Sequence, residues 1–92
     1  MNVKVKNLQN TTGRVPVDTS RTWQKFWENK TGAQFTFCSC SDCFELAAVG
    51  GHVKKVDMND DKWYIVPLCR KCNTKSADET YIVDHEKLVP VR

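Results

Sequence analysis

The chain has 92 residues, a formal net charge of +3, 40% hydrophobic and 27% charged side chains. That length admits one domain, residues 1–92, with a core thin enough that a metal or cross-link commonly completes it. No run approaches the ~20 apolar residues of a membrane span, so no membrane partner is expected.

The N-terminal "MNVKVKNLQNTT" has lysines but no apolar run behind them, unlike a signal peptide. A cytoplasmic protein is expected, in a reducing compartment where structural disulfides are rare. Charge is unevenly spread. Residues 1–30 carry six basic side chains against two acidic ones, residues 31–72 balance, and residues 73–92 are slightly acidic. The basic first third permits contact with DNA or RNA without requiring it.

Val3 and Val5 alternate with Lys4 and Lys6, the period of a short half-buried strand. "NTTGRVP" reads as a loop. Thr19 or Ser20 can cap a helix from about Arg21 to Lys30, with Gly32 just past its end. Trp23, Phe26 and Trp27 stand at i, i+3 and i+4 on that helix, the spacing of a core-facing stripe. The other use of such a stripe, a base-stacking platform, requires exposure.

"AQFTF" and "CFELAAV" read as two strands of a hairpin, which Gly50-Gly51 should break before His52. "VDMNDDK" is a polar turn, and "KWYIVPL" is the most strand-like segment. "NTKSADE" fits a short helix. "TYIV" and "KLVPV", joined by "DHE", read as a closing hairpin, with Pro90 placing its last strand at an edge. His85, in that polar turn, is expected to be solvated.

Cys69 and Cys72 form one C-x-x-C, and Cys40 and Cys43 form another. Zinc favours four soft ligands in a tetrahedron, and such turns aim backbone N–H groups at the sulfurs they present. A structural Zn²⁺ on Cys40, Cys43, Cys69 and Cys72 is therefore expected. Cys38 could replace Cys40, giving C-x4-C for the first pair, or remain a small buried thiol.

A cysteine pair, "GGHV", a strand ending "VPLC" and "C-x-x-C-N" follow one another over residues 38–76. This order resembles the ββα-metal core of HNH endonucleases, a treble-clef zinc fold. The flanking "VKVKNLQNTTGRVP", "TWQKFWE" and closing "LVPV" resemble small bacterial proteins built around a variant HNH-like core. The resemblance implies His52 as general base and Asn73 as a ligand, on the helix, of a catalytic Mg²⁺ or Mn²⁺. Two other family positions differ: the acidic residue before the base is Gly51, and the strand asparagine is Tyr64. Asp57, Asp60 and Asp61 could substitute only if their loop folded back over His52.

The expected fold is therefore α+β, a treble-clef zinc core with an N-terminal strand, an amphipathic helix and a C-terminal hairpin. The expected function is a zinc-stabilised binding module associated with nucleic acid, carrying a degraded nuclease site. The alternatives are a divalent-metal endonuclease using His52 and Asn73, and a protein-interaction module. Because the neighbouring positions lack the groups that acid–base work needs, His52 is expected to serve structure, by hydrogen bonding a backbone carbonyl near a strand end.

Overall fold

A computed structural model describes residues 2–8, 22–41, 43–56, 62–76 and 78–91. Strands β1 (Asn2–Asn7), β2 (Val49–Lys55), β3 (Tyr64–Leu68), β4 (Thr80–Asp84) and β5 (Val89–Pro90) form one sheet in the order β4-β1-β2-β3-β5. Helices α1 (Trp23–Thr31) and α2 (Arg70–Asn73) complete an α+β fold. Every strand pairing is antiparallel.

Successive strand residues face opposite sides of a sheet, so the register sorts the core into two layers. Val5, Val53, Tyr64, Val66, Leu68, Tyr81 and Val83 form one layer, together with Cys38, Cys69 and Cys72. On the other side, Ile65 and Val89 pack against Phe26 and Trp27 of α1. The aromatic stripe thus serves the core. Phe26 and Trp27 are buried, Trp23 is half-buried, and the Trp27 indole N–H donates to the Lys87 carbonyl at 2.8 Å.

Helix α1 begins later than expected. Its N-cap is Thr22, whose hydroxyl accepts from the Lys25 N–H at 3.1 Å, and Thr19 and Ser20 lie outside the described residues. Gly32 closes it with φ 70°, the left-handed conformation that glycine adopts without penalty.

Gly50-Gly51 does not break the strand: β2 runs through both. Both sit at close approaches. A Cβ on Gly50 would lie 2.6 Å from Trp23 Cβ, and one on Gly51 would lie 2.3 Å from Leu68 Cδ1. The absent side chains let α1 press on one face of β2 and Leu68 on the other.

The expected C-terminal hairpin is not formed. β4 and β5 occupy opposite edges of the sheet, yet only the 3-10 turn His85–Lys87 and Leu88 separate them. In a flat sheet four strand spacings would set the edges about 19 Å apart. So short a connection therefore requires the sheet to curl until its edges approach. Pro90 does stand in an edge strand, as expected. The helix expected over "NTKSADE" lies earlier, at Arg70–Asn73, because the Cys69 sulfur caps its start and Asn7 takes up its final carbonyls.

Candidate metal centre

Residues 36–41 and 43–47 form a narrow antiparallel ladder where a hairpin of two strands was expected. Ala47 N–H donates to the Thr36 carbonyl and Cys38 N–H to Glu45, each at 2.9 Å, around a Phe37–Leu46 bridge. The tip of this ladder lies across the curled sheet. Ser39 N–H donates to the Pro67 carbonyl of β3, and Ser41 N–H to the Ile82 carbonyl of β4, each at 2.9 Å. Two residues two apart in sequence thereby hold the tip against both strands. This anchoring fixes which thiols face inward.

The thiols brought together are those of Cys38, Cys43, Cys69 and Cys72, whose sulfurs all lie within 4.8 Å of one another. Cys43 Sγ and Cys69 Sγ are 3.6 Å apart. A covalent disulfide would be about 2.05 Å, whereas two thiolates sharing a zinc at about 2.3 Å each lie about 3.8 Å apart. The four cysteines could hold a metal ion such as zinc, and three of them are buried.

The first choice from spacing, Cys40, is not in this group, and the C-x4-C pairing through Cys38 is the one that converges. Cys40 bridges to Val83 of β4, which draws it out of the cluster. Cys40 still bears on the site through its backbone: its N–H and that of Cys69 favour the Cys38 thiolate. Cys72 N–H likewise donates to the Cys69 sulfur at 3.4 Å. These are the N–H···S contacts that stabilise bound thiolates.

Burial pushes the Cys38 thiol above its ordinary value despite those N–H groups. It pushes Cys72 far higher, reinforced by hydrogen bonds and charge from the neighbouring sulfurs. At Cys69 burial also works upward, but the Cys72 N–H and the thiols of Cys43, Cys72 and Cys38 outweigh it and hold the group low. Four thiolates cannot coexist here without a cation. The donor set therefore fits a soft divalent ion.

Asn7 is a supporting residue that sequence reasoning missed. It is buried, and its side-chain N–H₂ donates to the carbonyls of Cys72 at 3.0 Å, Lys75 at 3.1 Å and Asn73 at 3.3 Å. These groups follow or end the four-residue α2, where carbonyls lack intrahelical partners. Tyr81 in turn donates its hydroxyl to Asn7 Oδ1, and burial pushes that hydroxyl's pKa up, keeping it a donor. The only local signal was an asparagine ending an alternating strand.

His52 and Asn73 do not converge. The His52 ring is buried on the α1 side, 4.7 Å from the Trp23 ring and 6.3 Å from that of Trp63. Its neighbour Gly51 faces the other way, and a Cβ there would lie 3.0 Å from Asn73 Oδ1. The Asn73 carboxamide thus stands on the metal side, across the sheet from the imidazole. Tyr64, where the resemblance calls for asparagine, is buried on the metal side with the Lys55 ammonium 4.8 Å above its ring. Asp57, Asp60 and Asp61 lie outside the described residues. His85 is exposed, as expected, and its Nε2 lies 3.2 Å from Lys55 Nζ.

Comparison with known proteins gives no matching family model, no matching curated protein and no matching solved structure. What the fold and site define is a small α+β domain built around a four-cysteine cluster able to hold a metal. No helix among the described residues is long and apolar enough to cross a membrane.

Proposed function

We propose that this chain is a zinc-stabilised binding module of the treble-clef type, associated with nucleic acid and without nuclease activity. The tip at residues 38–41 with Cys43, strands β2 and β3, and α2 would be the knuckle, hairpin and helix of that arrangement. The convergence of four thiols at the junction of those pieces carries the reading. The ion would supply folding energy to a small core, and the four thiolates leave it no open position for a substrate.

The separation of His52 from Asn73 argues against hydrolysis. A general base must reach the proton it removes, beside the metal that stabilises the departing oxygen. Here the two residues are divided by the thickness of a strand, and Gly51 gives a second metal no side-chain ligand. The test is incubation of purified protein with plasmid DNA and Mg²⁺ or Mn²⁺, alongside a binding titration. The reading requires binding without cleavage. Cleavage lost in His52→Ala but kept in His85→Ala would replace it with the endonuclease alternative.

A protein-interaction role has an observation of its own. Phe37, Phe44 and Leu46 are 62%, 89% and 68% exposed on the ladder beside the cysteines, and the Phe37–Leu46 bridge sets two of these side chains together. Exposed apolar groups gathered this way mark contact surfaces. Sedimentation of the native chain against Phe44→Ser would reveal self-association through this patch.

A further inference from the structure

The sheet face covered by α1 is covered only in part. Helix α1 lies over the β2–β3–β5 end, with Trp23 against Gly50 and His52, and Phe26 and Trp27 against Ile65 and Val89. Toward β1 and β4 the same face carries Lys4, Lys6, Lys54, Thr80 and Ile82, by strict alternation from the paired registers. Lys6 stands directly opposite Lys54, and Lys4 lies two residues along β1, diagonal to Lys54. Lys4 is exposed, Lys6 and Lys54 are half-exposed, and Ile82 is 39% exposed.

Directly opposed like charges on one face destabilise a sheet. Here three ammonium groups share one small area. Among the described residues none of the three lysines stands in an ion pair, and the Lys75–Glu79 pair lies elsewhere. Asp84 shares their face diagonal to Lys4, and its carboxylate, which accepts from the Glu86 N–H at 3.1 Å, offsets one of the three charges. Among the described residues the patch therefore carries an excess of positive charge.

We propose that Lys4, Lys6 and Lys54 form the surface on which this chain meets the phosphate backbone of a nucleic acid. The proposal rests on the reading of the chain as a nucleic-acid-associated module and names where that contact is made. Lysine is a compact charge on a flexible stem, suited to phosphate and poorly suited to the bidentate reading of a base edge. The neighbouring Thr80 and Ile82 offer no aromatic platform. Contact is therefore to the backbone and independent of sequence.

The experiment is fluorescence anisotropy of a labelled random duplex of about 20 base pairs, titrated at salt from about 50 to 200 mM. Three phosphate contacts give a log–log slope of about −3. Lys6→Gln and Lys54→Gln should each make the slope shallower by about 1, and the double variant by about 2. Lys71→Gln, an exposed lysine on α2, should leave it unchanged. Metal content and the unfolding midpoint, measured on each variant, guard against misfolding. Binding that responds to Lys71→Gln and not to Lys6→Gln or Lys54→Gln overturns this surface while sparing the nucleic-acid reading. No salt-dependent binding by the native chain overturns both. Lysine-dependent binding to phosphatidylserine vesicles, with none to the duplex, overturns nucleic acid as the occupant.

Discussion

His52 and Asn73 lie on opposite sides of the same sheet: the imidazole packs edge-on against Trp23, while the Asn73 carboxamide approaches the far side of Gly51. The alternation of β2 enforces this arrangement, since Gly51 and His52 are neighbours and must point apart. The role it leaves to His52 is packing.

His52→Ala should therefore cost stability, roughly 2–4 kcal/mol, by opening a cavity between two indole rings. Chemical denaturation measures this directly. An unchanged midpoint would show that the ring does not fill the α1 interface.

Asn7→Ala should destabilise by about 1–3 kcal/mol, since it strips the donor from the carbonyls ending α2 and the acceptor from Tyr81. Cys72 sits on that helix, so metal affinity should fall with stability. Competition with a chromophoric chelator reads the affinity. A variant as stable and as tight as the native chain would remove Asn7 from the support of the site.

Gly50→Ala should cost about 1–3 kcal/mol through overpacking, because the added methyl would meet Trp23 Cβ at 2.6 Å and the Trp23 carbonyl carbon at 3.2 Å. Neither atom is the free end of a flexible chain, so α1 itself must shift. Gly51→Ala should be milder, since Leu68 Cδ1 can rotate away. Thermal unfolding of the two variants compares them, and the reverse order would contradict this packing.

Metal affinity should climb with pH across the neutral range. Burial raises the Cys38 thiol above its ordinary value of 9.0 and Cys72 further, so both hold protons at neutral pH until a cation displaces them. Cys69, held low, releases its proton more readily. A raised thiol is protonated below its pKa, so acid opposes binding and alkali favours it. The protons displaced from these two thiols alone contribute about 10²-fold in affinity per pH unit. Competition titrations at pH 6, 7 and 8 check the slope, and a flat profile would exclude thiolate ligation.

Local patterns carried much of the fold. The valines of β1, the i, i+3, i+4 aromatics and Gly32 closing α1, the apolar run of β3 and the edge position of Pro90 all follow from rules acting within a few residues. What local pattern did not reveal depends on contacts between distant segments. "DHE" has the composition of a hairpin turn, yet β4 pairs with β1, and Val83 meets Val3. C-x-x-C spacing favoured Cys40 over Cys38, but the choice is made by Ser39 and Ser41 anchoring to β3 and β4. Gly50-Gly51 has the look of a strand break, and only the approach of α1 and Leu68 explains a strand that continues through it.

The central claim is that Cys38, Cys43, Cys69 and Cys72 bind one structural metal ion, with the Cys40 side chain outside its coordination. Elemental analysis of purified Cys38→Ser and Cys40→Ser, beside the native chain, tests it most directly. The account predicts one zinc per native chain, one in Cys40→Ser, and a large loss of metal with unfolding in Cys38→Ser. Full metal retention in Cys38→Ser together with loss in Cys40→Ser, or a folded native chain without metal, would contradict it.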